Sequence, residues 1–292
     1  MRKLDRPLFT QKEILESCVS NMTDNDLVTL ILSKLTNFED SYKLYDSYAL
    51  SNDLHLIDEG YSIEEIESKV LNNLYTDKLS KDGQPARSYY DKIMDLSLDS
   101  MCTSCGYRPA DTLDHVLAKT KFPALSINPL NLIPMCIACN KKKSSKKSEG
   151  KEFNAIHPYY DNIEDFVWLK AKLERKVPFE LNFMVDETAN HNIELIERVS
   201  NHFTTFGLNK LYKIYAGTEI SAIIHDLKEI FGEGNSIALK QELNRSKRKY
   251  QRVYKNTWQF AFYEELSTNE WFLNHMLTLD IENILKDESS TT

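Results

Sequence analysis

Residues 102–140 read CTSCGYRPADTLDHVLAKTKFPALSINPLNLIPMCIACN. Two Cys-x-x-Cys pairs, Cys102/Cys105 and Cys136/Cys139, bracket a segment poor in long apolar runs and rich in Pro and Asn. Thiolates spaced by two residues on a turn bite one ion, and two such turns complete a tetrahedral zinc site. Four thiolates close the shell, so a zinc held here is expected to be structural, with any chemistry lying elsewhere. Four free cysteines paired by chance are a poor alternative at this spacing. Cys18, alone on an apparent helix, reads as a small core residue.

The sequence on either side predicts a mainly α, α+β protein with a short β-hairpin. TQKE at 10–13 is a capping box before an apolar-periodic run, and SIEEIESKVLNNLY at 62–75 is amphipathic. KDGQP at 81–85 breaks the pattern, and ARSYYDKIMDLSL leads as a helix into the first cysteine pair. VWLKAKLER and FELNFMV, separated by KVP, alternate as two strands; helical patterns resume near Asn190, ending in a long basic and aromatic run from Ser236 to Leu266. The expected division is 1–87 as an N-terminal helical region, 88–161 as a zinc-stabilised centre, and 162–292 as a hairpin followed by helices, with DESSTT a loose tail.

The chain has 292 residues and a formal net charge of −8, which by itself argues against a nucleic-acid partner. The distribution reverses that argument. Residues 115–151 hold eight lysines against Glu149, and residues 244–258 hold six basic residues and no acid. Charge segregated in this way suits a phosphate-facing surface on an acidic body, the plain alternative being solvated helix faces. The N-terminus, MRKLDRPLFTQKEILE, lacks the apolar stretch of a secretory signal and no segment is apolar long enough to span a bilayer, so a cytoplasmic, membrane-free protein is expected.

Asp114-His115, NPLNL at 128–132 and CIACN followed by KKK at 136–143 together resemble the HNH nucleases, in the branch whose ββα-metal core is flanked by Cys-x-x-Cys pairs. The likeness covers roughly 88–161, with RSYYDK before it and HPYYD after it as familiar companions. It implies a metal-dependent endonuclease that hydrolyses phosphodiester bonds of DNA, with RNA left open. His115 would be the general base and Asn131 the residue that pins the loop and orients it. Asp114 and Asn140 would offer hard oxygen ligands to Mg2+ or Mn2+. The family's last histidine is Asn140 here, an HNN variant that shifts metal preference toward Mg2+. Lys119, Lys121, Lys143, Lys146 and Lys147 are the candidate phosphate contacts. His157 reads as a packing or turn-stabilising residue, and His191, His202, His225 and His275 as having no catalytic duty. Cores of this kind also occur as nuclease subunits beside a partner ATPase in anti-phage defence, which the long acidic flanks would suit. The competing reading is a non-catalytic zinc-knuckle module that grips nucleic acid.

Overall fold

The structure, a computed structural model, describes residues 2–143, 150, 154–175, 180–232 and 234–275. These divide into two compact units, 1–163 and 164–292. No helix among the described residues is long and apolar enough to cross a membrane. Among the described residues the protein is mainly α, with two separate antiparallel two-stranded sheets.

In the first unit Thr10 and Glu13 close the expected capping box at the head of α1 (Gln11–Val19). The chain continues through α2 (Asn25–Ser33) and α3 (Leu35–Leu50) to α4 (Ser68–Asn73), which runs into a π-helical segment, Leu74–Leu79. The helix expected from Ser62 begins only at Ser68. Glu65 takes a left-handed conformation (φ 70°), and the irregular turn lets Ile63 and Ile66 enter the core from outside a helix. After α5 (Arg87–Met94) come β1 (Thr112–His115), β2 (Leu132–Met135) and α6 (Ile137–Lys142), a β-β-α unit in which Asp114 lies opposite Ile133 and His115 opposite Leu132.

This central segment shares its core with the helices that precede it. Leu113, Ala124, Ile127 and Leu132 belong to one buried cluster with Ile14, Leu15, Phe38, Leu71 and Leu79. Removing that apolar surface from water, at roughly 25 cal/mol per Å2, holds β1, β2 and the intervening loop against α1 and α4. Cys18 lies in the same cluster, its thiol pushed up to about 12 by burial, consistent with an inert packing role.

In the second unit the two expected strands appear as β3 (Leu169–Glu174) and β4 (Glu180–Val185), paired antiparallel. They are followed by α7 (Ile193–Thr205) and α8 (Leu208–Phe231), then α9 (Ser236–Gln251), α10 (Trp258–Thr268) and α11 (Glu270–His275). The run expected to continue from Ser236 to Leu266 is thus broken between α9 and α10. The break has a polar cause: the Asn256 side chain accepts from the backbone N–H of Trp168 (2.9 Å) and donates to the Phe166 carbonyl (2.9 Å), and Thr257 caps α10.

Candidate functional site

The four cysteines that the spacing pairs are brought together. Their sulfurs all lie within 4.8 Å of one another, and all four residues are buried. Each pair is shaped by its own turn: Arg108 N–H donates to Cys105 Sγ (3.4 Å) and Cys139 N–H to Cys136 Sγ (3.4 Å), while Gly106 takes the left-handed conformation (φ 63°) that closes the first knuckle. Cys136 also caps the N-terminus of α6. Hydrogen bonds from neighbouring thiols, Cys102 foremost, hold Cys105 far below the ordinary thiol range and Cys136 at about 6. The donors Cys102 and Cys139 are held high in return. A divalent cation would let all four ionise, and a tetrahedral thiolate-preferring ion such as zinc matches the donor set.

Thr103 fastens this cluster to the hairpin, its N–H (3.3 Å) and Oγ1 (2.7 Å) both donating to the Pro134 carbonyl. Opposite Pro134, the backbone of Leu113 turns outward: its N–H donates to the Tyr90 hydroxyl (3.2 Å) and its carbonyl accepts from the Tyr75 hydroxyl (3.1 Å). Two tyrosines from the N-terminal helices therefore satisfy the edge of the strand that carries Asp114 and His115.

His115 is buried, with 7% of its surface exposed. Its Nε2 lies 2.8 Å from the Ser126 carbonyl, which can only accept, so Nε2 carries the proton and Nδ1 the lone pair. The Tyr75 ring packs edge-on against it at 4.4 Å. Burial lowers its pKa from 6.5 to about 4, against the opposing pull of the Ser126 carbonyl and Asp114. The imidazole is neutral at pH 7 and presents one nitrogen able to accept a proton. The same depression makes stability pH-dependent. A buried neutral histidine stabilises the fold above its unfolded pKa, and that contribution is lost as pH falls from 6.5 toward 4. At 1.36 kcal/mol per pH unit the loss is about 3 kcal/mol. Denaturant titrations between pH 4 and 7 are expected to show a stability loss about 3 kcal/mol larger in the wild type than in His115→Gln; parallel slopes would refute the assignment.

Asn131 is fully buried and its side chain is bonded to the backbone of the loop. Its Oδ1 accepts from Leu117 N–H (2.7 Å), and its Nδ2 donates to the carbonyls of Leu117 (3.0 Å) and Leu125 (3.1 Å). It acts on the loop backbone, whereas the histidine ring itself is held by Ser126, whose hydroxyl is anchored in turn on the Leu71 carbonyl (2.7 Å). Asn131→Ala would leave the N–H and carbonyl of Leu117 without partners, at about 1–3 kcal/mol each, while the Leu125 carbonyl keeps the Asn128 N–H. A loss of at least about 2 kcal/mol of unfolding free energy is expected by chemical denaturation, and a change under about 1 kcal/mol would contradict the pinning role.

Asp114 meets a cation already. Lys143, at the end of α6, places its ammonium 2.6 Å from Asp114 Oδ2, and the same ammonium donates to the His115 carbonyl. Asn140 lies in α6, three residues before Lys143 in the chain. Lys119 lies over the Tyr75 ring at 5.2 Å, its pKa lowered by burial with Asp77 opposing; Lys121 pairs with Glu59 at 2.7 Å. Lys146 and Lys147 lie outside the described residues. The described candidate phosphate contacts are thus engaged within the protein.

Tyr75, Tyr90 and Ser126 have no local signature in the sequence, because their roles arise only when distant segments meet. His157 takes the packing role: its Nε2 pairs with the Tyr45 hydroxyl (3.0 Å), its N–H donates to Asp161 (2.6 Å), and the neighbouring Tyr159 hydroxyl donates to the Leu132 carbonyl (2.8 Å).

The chain matches no known protein family and no solved structure. It is similar to a phage protein. Over 235 residues it is 28% identical to protein ea31 of Escherichia phage lambda, covering 77% of this chain and 79% of that one.

Proposed function

We propose that the chain is a metal-dependent endonuclease of the HNH type that hydrolyses DNA phosphodiester bonds, with His115 as general base and a structural zinc on Cys102, Cys105, Cys136 and Cys139. One observation carries the reading: a neutral imidazole of defined tautomer stands beside a carboxylate on a hairpin that runs into the cysteine-held helix bearing Asn140. Hydrolysis of a phosphodiester needs a base for water and positive charge at the phosphate.

Asp114 and Asn140 would hold Mg2+ or Mn2+, which neutralises charge on the phosphate and the leaving oxygen. The donor set fits a hard cation, since the Asp114 carboxylate and the His115 carbonyl already converge on the Lys143 ammonium. Lys143 then leaves Asp114 and turns toward substrate phosphate. His115 takes the proton of the attacking water at Nδ1. Tyr75 and Ser126 keep the ring in place.

The same Lys143 contact favours the second reading, a zinc-knuckle module that binds nucleic acid without cutting it, because the carboxylate is occupied. A cleavage assay separates the two. Supercoiled plasmid incubated with the purified protein is nicked or linearised with Mg2+ or Mn2+ and stays intact with EDTA; binding without cutting of DNA or RNA under either metal would leave only the module. Similarity to a phage-encoded protein fits a phage or bacterial-defence setting in the cytoplasm, where a partner ATPase could control the nuclease.

A further inference from the structure

The second unit carries a basic surface that the proposed cleavage site leaves unused. Helix α9 packs its inner face, Leu239 and Leu243, into the unit, stacks Tyr250 on Tyr263 at 5.9 Å, and ties Lys247 to Glu264 of α10 at 2.6 Å. Its opposite face is exposed and follows helical spacing. Ile237, Lys240, Gln241, Asn244 and Arg248 line one shallow concavity, and Arg252 extends the same stripe beyond the last turn. Lys249 lies along its edge. Arg245 is spent on Glu242 at 3.6 Å, but Lys240, Arg248, Lys249 and Arg252 are exposed and have no carboxylate partner among the described residues.

We infer that this face of α9 is a nucleic-acid backbone surface, gripping the phosphates of duplex DNA at a place separate in sequence from the cleavage site. The inference rests on the substrate class of the proposed function and adds a holding surface to it. Charge complementarity carries it: four uncompensated cations over a stretch of about 20 Å, at 1.5 Å per helical residue, stand on a chain whose net charge is −8. Gln241 between them adds an amide donor of the kind that meets phosphate and sugar oxygens, while the Asn244 amide donates to the Lys240 carbonyl at 2.8 Å. Basic residues near a helix C-terminus also favour the helix dipole, but that effect is confined to the last turn, whereas Lys240 lies near the first.

The test is binding of a fluorescent 30-base-pair duplex in EDTA, where cleavage is absent, at several salt concentrations. Wild type is compared with a variant carrying Lys240→Gln, Arg248→Gln, Lys249→Gln and Arg252→Gln, all exposed positions whose replacement should lower the melting temperature only slightly, through the lost dipole interaction of the last turn. Each released counterion contributes about 0.9 to the slope of log affinity against log salt, so the slope should fall by about 3 to 4 and low-salt affinity by at least about tenfold. Unchanged slope and affinity would overturn the surface, even if plasmid cleavage is observed. A lowered slope in a protein that never cleaves would sustain the surface and reject the nuclease. Binding of anionic phospholipid vesicles that the variant loses, with no duplex binding by wild type, would assign the face to membranes and overturn the inference.

Discussion

His115→Ala is expected to lower phosphodiester cleavage by about 10²- to 10⁴-fold, the usual contribution of a positioned general base. The effect should fall on turnover more than on substrate binding, since the imidazole acts on water and not on the strand. Because the ring fills space beside Tyr75 and donates to Ser126, alanine also removes packing and leaves a carbonyl without its donor. His115→Gln separates the two effects. Its amide can donate to the Ser126 carbonyl and recover much of the stability, yet it cannot take a proton at neutral pH. The expected pattern is two variants of different stability and equally low cleavage, both still binding duplex. Wild-type rates in either variant would remove His115 from the reaction.

Loss of the metal from the cysteine cluster should produce the largest change in stability. Structural zinc contributes about 10–16 kcal/mol of apparent binding free energy in small peptide sites, and here part of the fold survives without it. Leu113, Ile127 and Leu132 remain packed against α1 and α4 by apolar burial, whereas α6 is placed by Cys136 and Cys139. Cys139→Ser, or zinc removal by a strong chelator, is therefore expected to lower the melting temperature by at least about 10 °C. It should release the amide protons of 136–142 to rapid exchange while most helical signal persists. One zinc per chain should be found in the wild type by elemental analysis. Loss of cleavage with the melting temperature and exchange pattern intact would instead make the cysteine-bound metal part of the chemistry.

These two expectations draw on different depths of information. The cysteine cluster could be read directly, because two residues of separation on a turn impose their own geometry and two such turns need only meet. The hairpin of β3 and β4 and the capping box at Thr10 were readable for the same reason, each being set by neighbours within a few positions. The late start of α4 was not, because Ile63 and Ile66 gain more from burial in an irregular turn than the local helical pattern offers.

Likewise the pair Asp114-His115 and the loop anchor Asn131 were visible as residues, but not what surrounds them. The seat of the histidine is made by Tyr75, forty positions away, and by Ser126, which is itself hung on Leu71. Lys143, read as a hand for phosphate, rests on Asp114, a residue of β1 that it meets only in the folded chain. Spacing in the chain thus decided which ligands could gather around a metal, since ligation by close pairs is local. Only tertiary packing decided the histidine's charge, its tautomer and the cation at its neighbour, since burial and hydrogen bonding there depend on segments that meet across the core.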